Sequence, residues 1–150
     1  AHILCHIERL KHDPAQRVVI HTHSTYTLAL TYMLPDDERT ITRTLWKMST
    51  ECSIVFPEGV GYLPWELCGT VKIGQDTARK MEKYKIVLWS MHGVYASGDS
   101  LNEAFGLIET VEKAAKIYCI TATHRVREIE DHDIAELGKA FGVAVNKEML

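Results

Sequence analysis

"RVVIHTHSTYTLALTYML", residues 17–34, contains the change of pattern on which the fold class turns. Its first part, "RVVIH" (17–21), is a short run of apolar and β-branched residues, the composition of a buried strand. Its last part, "STYTLALTYML" (24–34), opens on a Ser or Thr cap and is stopped by Pro35, which describes a helix. Between them stand two histidines separated by one threonine.

The same alternation continues in both directions. "HILCHIERL" (2–10) spaces Ile3, Leu4, Ile7 and Leu10 along one face of a helix, with no capping residue before it; something is therefore expected to precede residue 1 in the native protein. "HDPAQ" (12–16) is a turn. "DDERTITRTLWKM" (36–48) is a helix with an acidic start, "ECSIVF" (51–56) is expected to be a strand, and "PEGVGYLPW" (57–65) is punctuated by Gly and Pro. "TVKIGQDTARKMEKY" (70–84) has helical period. "KIVLWSM" (85–91) is a second continuous apolar strand, and "VYASG" (94–98) continues extended. "SLNEAFGLIETVEKAAKIYCI" (100–120) is a long helix opened by a capping box of Ser100 and Glu103, and "IEDHDIAELGKAFG" (129–142) is a helix ended by Gly142. Interleaved strands and helices make the class α/β, a central sheet covered by helices. No internal repeat is present.

Composition narrows the function. The 150 residues are 46% hydrophobic, enough for one domain that buries about two-thirds of its unfolded surface. A net charge of -3 with dispersed Lys and Arg leaves no electrostatic footprint for nucleic acid. No apolar run approaches the ~20 residues that span a bilayer, and no signal peptide is visible, so a soluble cytoplasmic protein is expected. Cys5, Cys52, Cys68 and Cys119 are far apart, form no CxxC pair, and are expected to be buried reduced thiols.

Eight histidines is a high count. His21 and His23, at i and i+2 on an extended strand, leave the same face with Cα atoms roughly 6.5–7 Å apart, a spacing that one metal ion can bridge. The same HxH spacing also occurs without metal. His92 ends the other buried strand and is followed by Gly93, which admits close approach of backbone or substrate. Three histidines from two strand ends would leave a coordination position open, the arrangement of catalytic zinc.

Two segments, "HTHSTYTLAL" (21–30) and "HGVYASGDSLNEAFGLIETVEKAA" (92–115), resemble the paired signatures of the class II aldolase/adducin superfamily. The intervening "LWKMSTECSIVFPEGVGYLPWELCGTVKIGQDTA" (45–78) resembles the rhamnulose-1-phosphate aldolase branch more than the fuculose-1-phosphate aldolase or ribulose-5-phosphate epimerase branches. The resemblance runs from residue 1 to about residue 143. It implies a class II aldolase-like αβα fold, with residues 1–150 forming the C-terminal major part of a single domain that is incomplete at the N-terminus. It implies one Zn²⁺ per subunit on His21, His23 and His92. It also implies reversible cleavage of L-rhamnulose 1-phosphate to dihydroxyacetone phosphate and L-lactaldehyde through a metal-stabilised enediolate, in a homotetramer.

The resemblance places one proton-transfer carboxylate at Glu51, acting in a neighbouring subunit's site. The family's other glutamate, and its phosphate-binding Gly, Asn and Ser loops, fall upstream of Ala1, so the expected active site is incomplete within these residues. A related aldolase or epimerase and a non-catalytic adducin-like scaffold are the competing readings; three retained histidines argue against the scaffold. His2, His6, His12, His124 and His132 are assigned to helix margins and surface, and the glycines of "EGVGYLPW" to turns. Trp46, Trp65 and Trp89 are assigned to the core or a subunit interface.

Overall fold

In the computed structural model, which describes residues 1–150, the run "KIVLWSM" forms a strand whose four residues, Ile86–Trp89, are all buried. Their side chains divide by the period of two that a strand imposes: Ile86 and Leu88 join one apolar cluster, Val87 and Trp89 another. A strand buried on both faces needs a layer on each, and that requirement organises the rest of the chain.

The elements in chain order are α1 (His2–His12), β1 (Val18–Thr22), α2 (Thr25–Met33), α3 (Glu38–Met48), α4 (Cys52–Val55), β2 (Gly61–Leu63), α5 (Val71–Met81), β3 (Ile86–Trp89), β4 (Gly93–Gly98), α6 (Leu101–Thr121) and α7 (Asp131–Phe141), followed by a 3₁₀ turn at Lys147–Met149. The sheet order is β1-β4-β3-β2. β1 runs antiparallel to β4, and β4 antiparallel to β3, while β2 lies parallel to β3. The parallel pair is joined through α5, as a crossover requires. The larger cluster packs Leu30 of α2, Ile41 and Trp46 of α3 and Val111 of α6 against Leu88 and Val94. The smaller packs Cys5 of α1 with Ile73 and Met81 of α5 against Val87 and Tyr95. The expected αβα layering is therefore present.

Two local expectations fail. Residues 51–56 are not a strand: Cys52–Val55 form the single turn of α4, and buried Phe56 follows it, its carbonyl accepting the Trp46 indole N–H at 3.3 Å. A short apolar run carries no periodicity that separates strand from helix. The strand lies a few residues later, inside the stretch read as punctuation, where Gly61 packs so closely that a Cβ there would lie 2.9 Å from the Tyr84 ring.

Helix ends also depart from the sequence pattern. Ser100 caps α6 as expected, but the Glu103 carboxylate accepts the N–H of Asp99 instead of that of the cap residue. Ser24 makes no capping bond to α2; the Glu112 carboxylate of α6 accepts the N–H groups of Tyr26 and Thr27 and the Thr27 hydroxyl at 2.7–2.9 Å. On α1 the buried residues are Cys5 and Arg9, while Ile3, Ile7 and Leu10 face outward. Gly142 ends α7 at φ 66°, as expected of a left-handed cap. Cys5 and Cys52 are buried, but Cys68 is exposed and Cys119 only partly covered; all four are free thiols.

Candidate metal centre

The sheet brings His21, His23 and His92 together although they come from two distant segments. Register does this: β1 pairs with β4 so that His21 lies opposite Tyr95, and His92 sits in the turn that delivers the chain from β3 into β4. One ligating atom from each of the three histidines lies within 4.8 Å of the others, with His21 and His92 partly buried and His23 exposed. The ring centroids are 5.0 Å apart for His21–His23, 4.9 Å for His23–His92 and 5.4 Å for His21–His92.

The surroundings fix the rings' chemistry. His21 Nδ1 lies 3.1 Å from the Val94 carbonyl oxygen, which can only accept; Nδ1 therefore carries the hydrogen and Nε2 is left as the ligating atom. The His21 ring stacks on Tyr95 at 4.2 Å with an 18° interplanar angle, and Trp89 borders both His21 and His92 at 5.3 and 5.0 Å. Burial, joined by repulsion from His23, His92 and His2, pushes His21 down to about 4 even though the Val94 bond opposes the shift. Burial and the proximity of His23 also lower His92. Both rings are neutral at pH 7, with lone pairs available.

Gly93 makes the convergence possible. A Cβ at that position would lie 2.5 Å from the Thr22 carbonyl oxygen, 2.9 Å from His23 Cδ2 and 3.2 Å from His21 Cε1. The glycine adjoining His92 thus lets β4 approach the two histidines of the other segment. Three imidazole donors suit a divalent transition-metal ion, and three protein ligands would leave room for a substrate group. The donor set fits such an ion.

The class II aldolase and adducin N-terminal domain matches residues 1–119. The chain belongs to the class II aldolase and adducin family. Among curated proteins, rhamnulose-1-phosphate aldolase of Listeria monocytogenes serovar 1/2a is 48% identical over 145 residues, covering 95% of this chain and 53% of that protein. Rhamnulose-1-phosphate aldolase of Enterobacter sp. strain 638 is 49% identical over 155 residues, covering 100% and 55%. Among solved structures, a sugar-phosphate aldolase from Thermotoga maritima superposes with a TM-score of 0.72 at 30% identity, covering 83% of this chain and 53% of that one. The chain spans about half the length of the curated relatives it matches.

Class II aldolases are generally metal-dependent, and this member has a three-histidine cluster suited to that role. Glu51 stands apart from it. Its carboxylate accepts a short 2.5 Å bond from the Ser49 hydroxyl and faces Lys113 at 3.7 Å, and its side chain is 59% exposed. The Ser49 hydroxyl, with Lys113 behind it, holds the Glu51 carboxyl below the ordinary carboxylate range. His2, assigned from sequence to a helix margin, borders the cluster: its ring is 5.2 Å from that of Tyr95 and 6.4 Å from that of His21. Trp89 and Trp46 belong to the core, whereas Trp65 is exposed. Tyr95, stacked on His21, and Glu112, which accepts the first N–H groups of α2, border the cluster's two segments without any distinguishing signal in the sequence. No helix is long and apolar enough to cross a membrane.

Proposed function

We propose that these residues are the C-terminal major part of a class II aldolase domain that reversibly cleaves L-rhamnulose 1-phosphate to dihydroxyacetone phosphate and L-lactaldehyde. The observation that carries the proposal is the convergence of three histidine nitrogens within 4.8 Å at two strand ends. The 48% identity to rhamnulose-1-phosphate aldolase supports the choice of substrate. His21, His23 and His92 would hold one Zn²⁺, which when bound supplies Lewis-acid polarisation of a ketone oxygen. Val94 holds the His21 ring in the ligating tautomer, and Tyr95 and Trp89 wall off its face from water. No amine is needed as nucleophile.

Glu51 is deprotonated and exposed, free to serve a site other than its own. In a homotetramer it would reach a neighbouring subunit's site, take the proton from the hydroxyl that becomes the aldehyde oxygen on cleavage, and return it on condensation. A cytoplasmic setting belongs to the same reading.

The deciding experiment supplies the full-length protein with L-rhamnulose 1-phosphate, L-fuculose 1-phosphate and L-ribulose 5-phosphate in separate zinc-replete reactions. Formation of lactaldehyde fastest from the first is expected. Preferential turnover of either other substrate would replace the assignment, and no turnover of any, with zinc bound, would favour a scaffold. Glu51→Gln should lower turnover with bound zinc unchanged.

A further inference from the structure

We propose that Thr31 is a positioning residue for His92, acting through the turn that precedes it. This rests on the reading of His92 as a metal ligand. β3 ends at Trp89; the Ser90 N–H bonds to the Leu63 carbonyl at 2.9 Å, and the chain must then reverse to begin β4 at Gly93. It reverses through Met91 at φ 55°, the only non-glycine residue with positive φ. A long side chain in the left-handed region is held there by its surroundings, not by its own preference.

The Met91 side chain does not supply that hold, being 46% exposed. Its backbone does: the Met91 N–H donates to the Thr31 hydroxyl oxygen at 2.9 Å. Thr31 is 4% exposed and lies on α2. Its hydroxyl hydrogen is committed to the Leu28 carbonyl at 2.8 Å, which turns the oxygen lone pairs toward Met91. α2 begins two residues after His23. Thr31 therefore ties the helix that follows His21 and His23 to the turn that carries His92, and sets the separation between the two ligand-bearing segments.

The test is Co²⁺ binding to the full-length metal-free protein, read as affinity and as the visible d–d absorption of tetrahedral cobalt. Thr31→Val keeps the shape and removes the acceptor; it should weaken cobalt binding roughly tenfold or more and reduce the tetrahedral band. Thr31→Ser keeps the hydroxyl and should stay within about twofold of wild type. In a His92→Ala background Thr31→Val should add no further loss. Thr31→Ala carries the same expectation if the valine variant does not fold. Equal losses with and without His92, or folded Val and Ala variants with unchanged affinity and spectrum, would overturn the proposal. If His92→Ala alone leaves cobalt binding intact, the ligand assignment itself falls, and the proposal with it.

Discussion

Replacing Gly93 with alanine tests whether close backbone approach builds the histidine cluster. The added Cβ would meet the Thr22 carbonyl oxygen at 2.5 Å, against an ordinary C···O contact of about 3.3–3.6 Å, an intrusion of about 0.8 Å or more. That oxygen is backbone and cannot swing aside, so β1 and β4 must separate where His21 and His23 leave the strand. Overpacking costs about 1–3 kcal/mol, and an obstacle made of backbone belongs at the upper end. For a chain of this size about 3 kcal/mol lowers the melting temperature by roughly 6–12 °C. If the three histidines hold zinc as proposed, its affinity should fall at least tenfold, because His21 and His23 flank Thr22. Gly106, in the interior of α6, is the control: a Cβ there meets nothing within 4 Å, and alanine should stabilise the helix by about 0.5–1 kcal/mol. Thermal melts in chelator and zinc competition against a chromophoric chelator measure both effects. A Gly93→Ala protein that melts within 1 °C of wild type and binds zinc within about twofold would refute the steric argument.

Other perturbations follow from the same contacts. His23→Ala removes the exposed member of the histidine cluster, so on the proposed reading zinc content measured by elemental analysis should drop while the melting temperature of the metal-free protein stays near wild type. Glu112→Ala leaves the N–H groups of Tyr26 and Thr27 without their carboxylate and should cost about 2–3 kcal/mol in urea denaturation; an unchanged midpoint would mean water replaces it without loss. Burial holds His21 near 4 in the native metal-free protein, whereas the unfolded chain takes up that proton near 6.5. Stability from this ring is present above about 6.5 and is lost as pH falls toward about 4. The ceiling of about 3 kcal/mol comes down to about 1–2 because solvent reaches part of the ring. His21→Asn should flatten the slope of stability against pH over that interval, and parallel slopes would contradict the assignment.

Sequence reveals most where one physical signal dominates. The apolar runs 17–21 and 85–91 read as buried strands; both are strands with the three histidines at their ends, but only β3 is buried throughout, while β1, at the sheet edge, is half-buried. The failures lie where signals are short or remote. Cys52–Val55 is a single turn, too brief for a period to show. β2 is three residues long between Gly and Pro, and it exists because β3 offers a parallel partner. Glu112 was legible as a helix residue but not as the anchor of α2, because its partners lie more than 80 residues earlier. Thr31 gave no sign at all: its role depends on the conformation of Met91, which only the folded turn imposes.

His21 lies in β1 and His23 one residue past its end, and β1 has one neighbour in the sheet, β4. An edge strand held by a single ladder can detach while the interior strands stay paired. Departure of an ion held as proposed would then require only that local excursion, and its residence time is expected to follow the fraying of Val18–Thr22, not the unfolding rate of the domain. Amide exchange along that strand, slowed by zinc and followed alongside zinc release, should keep pace with it.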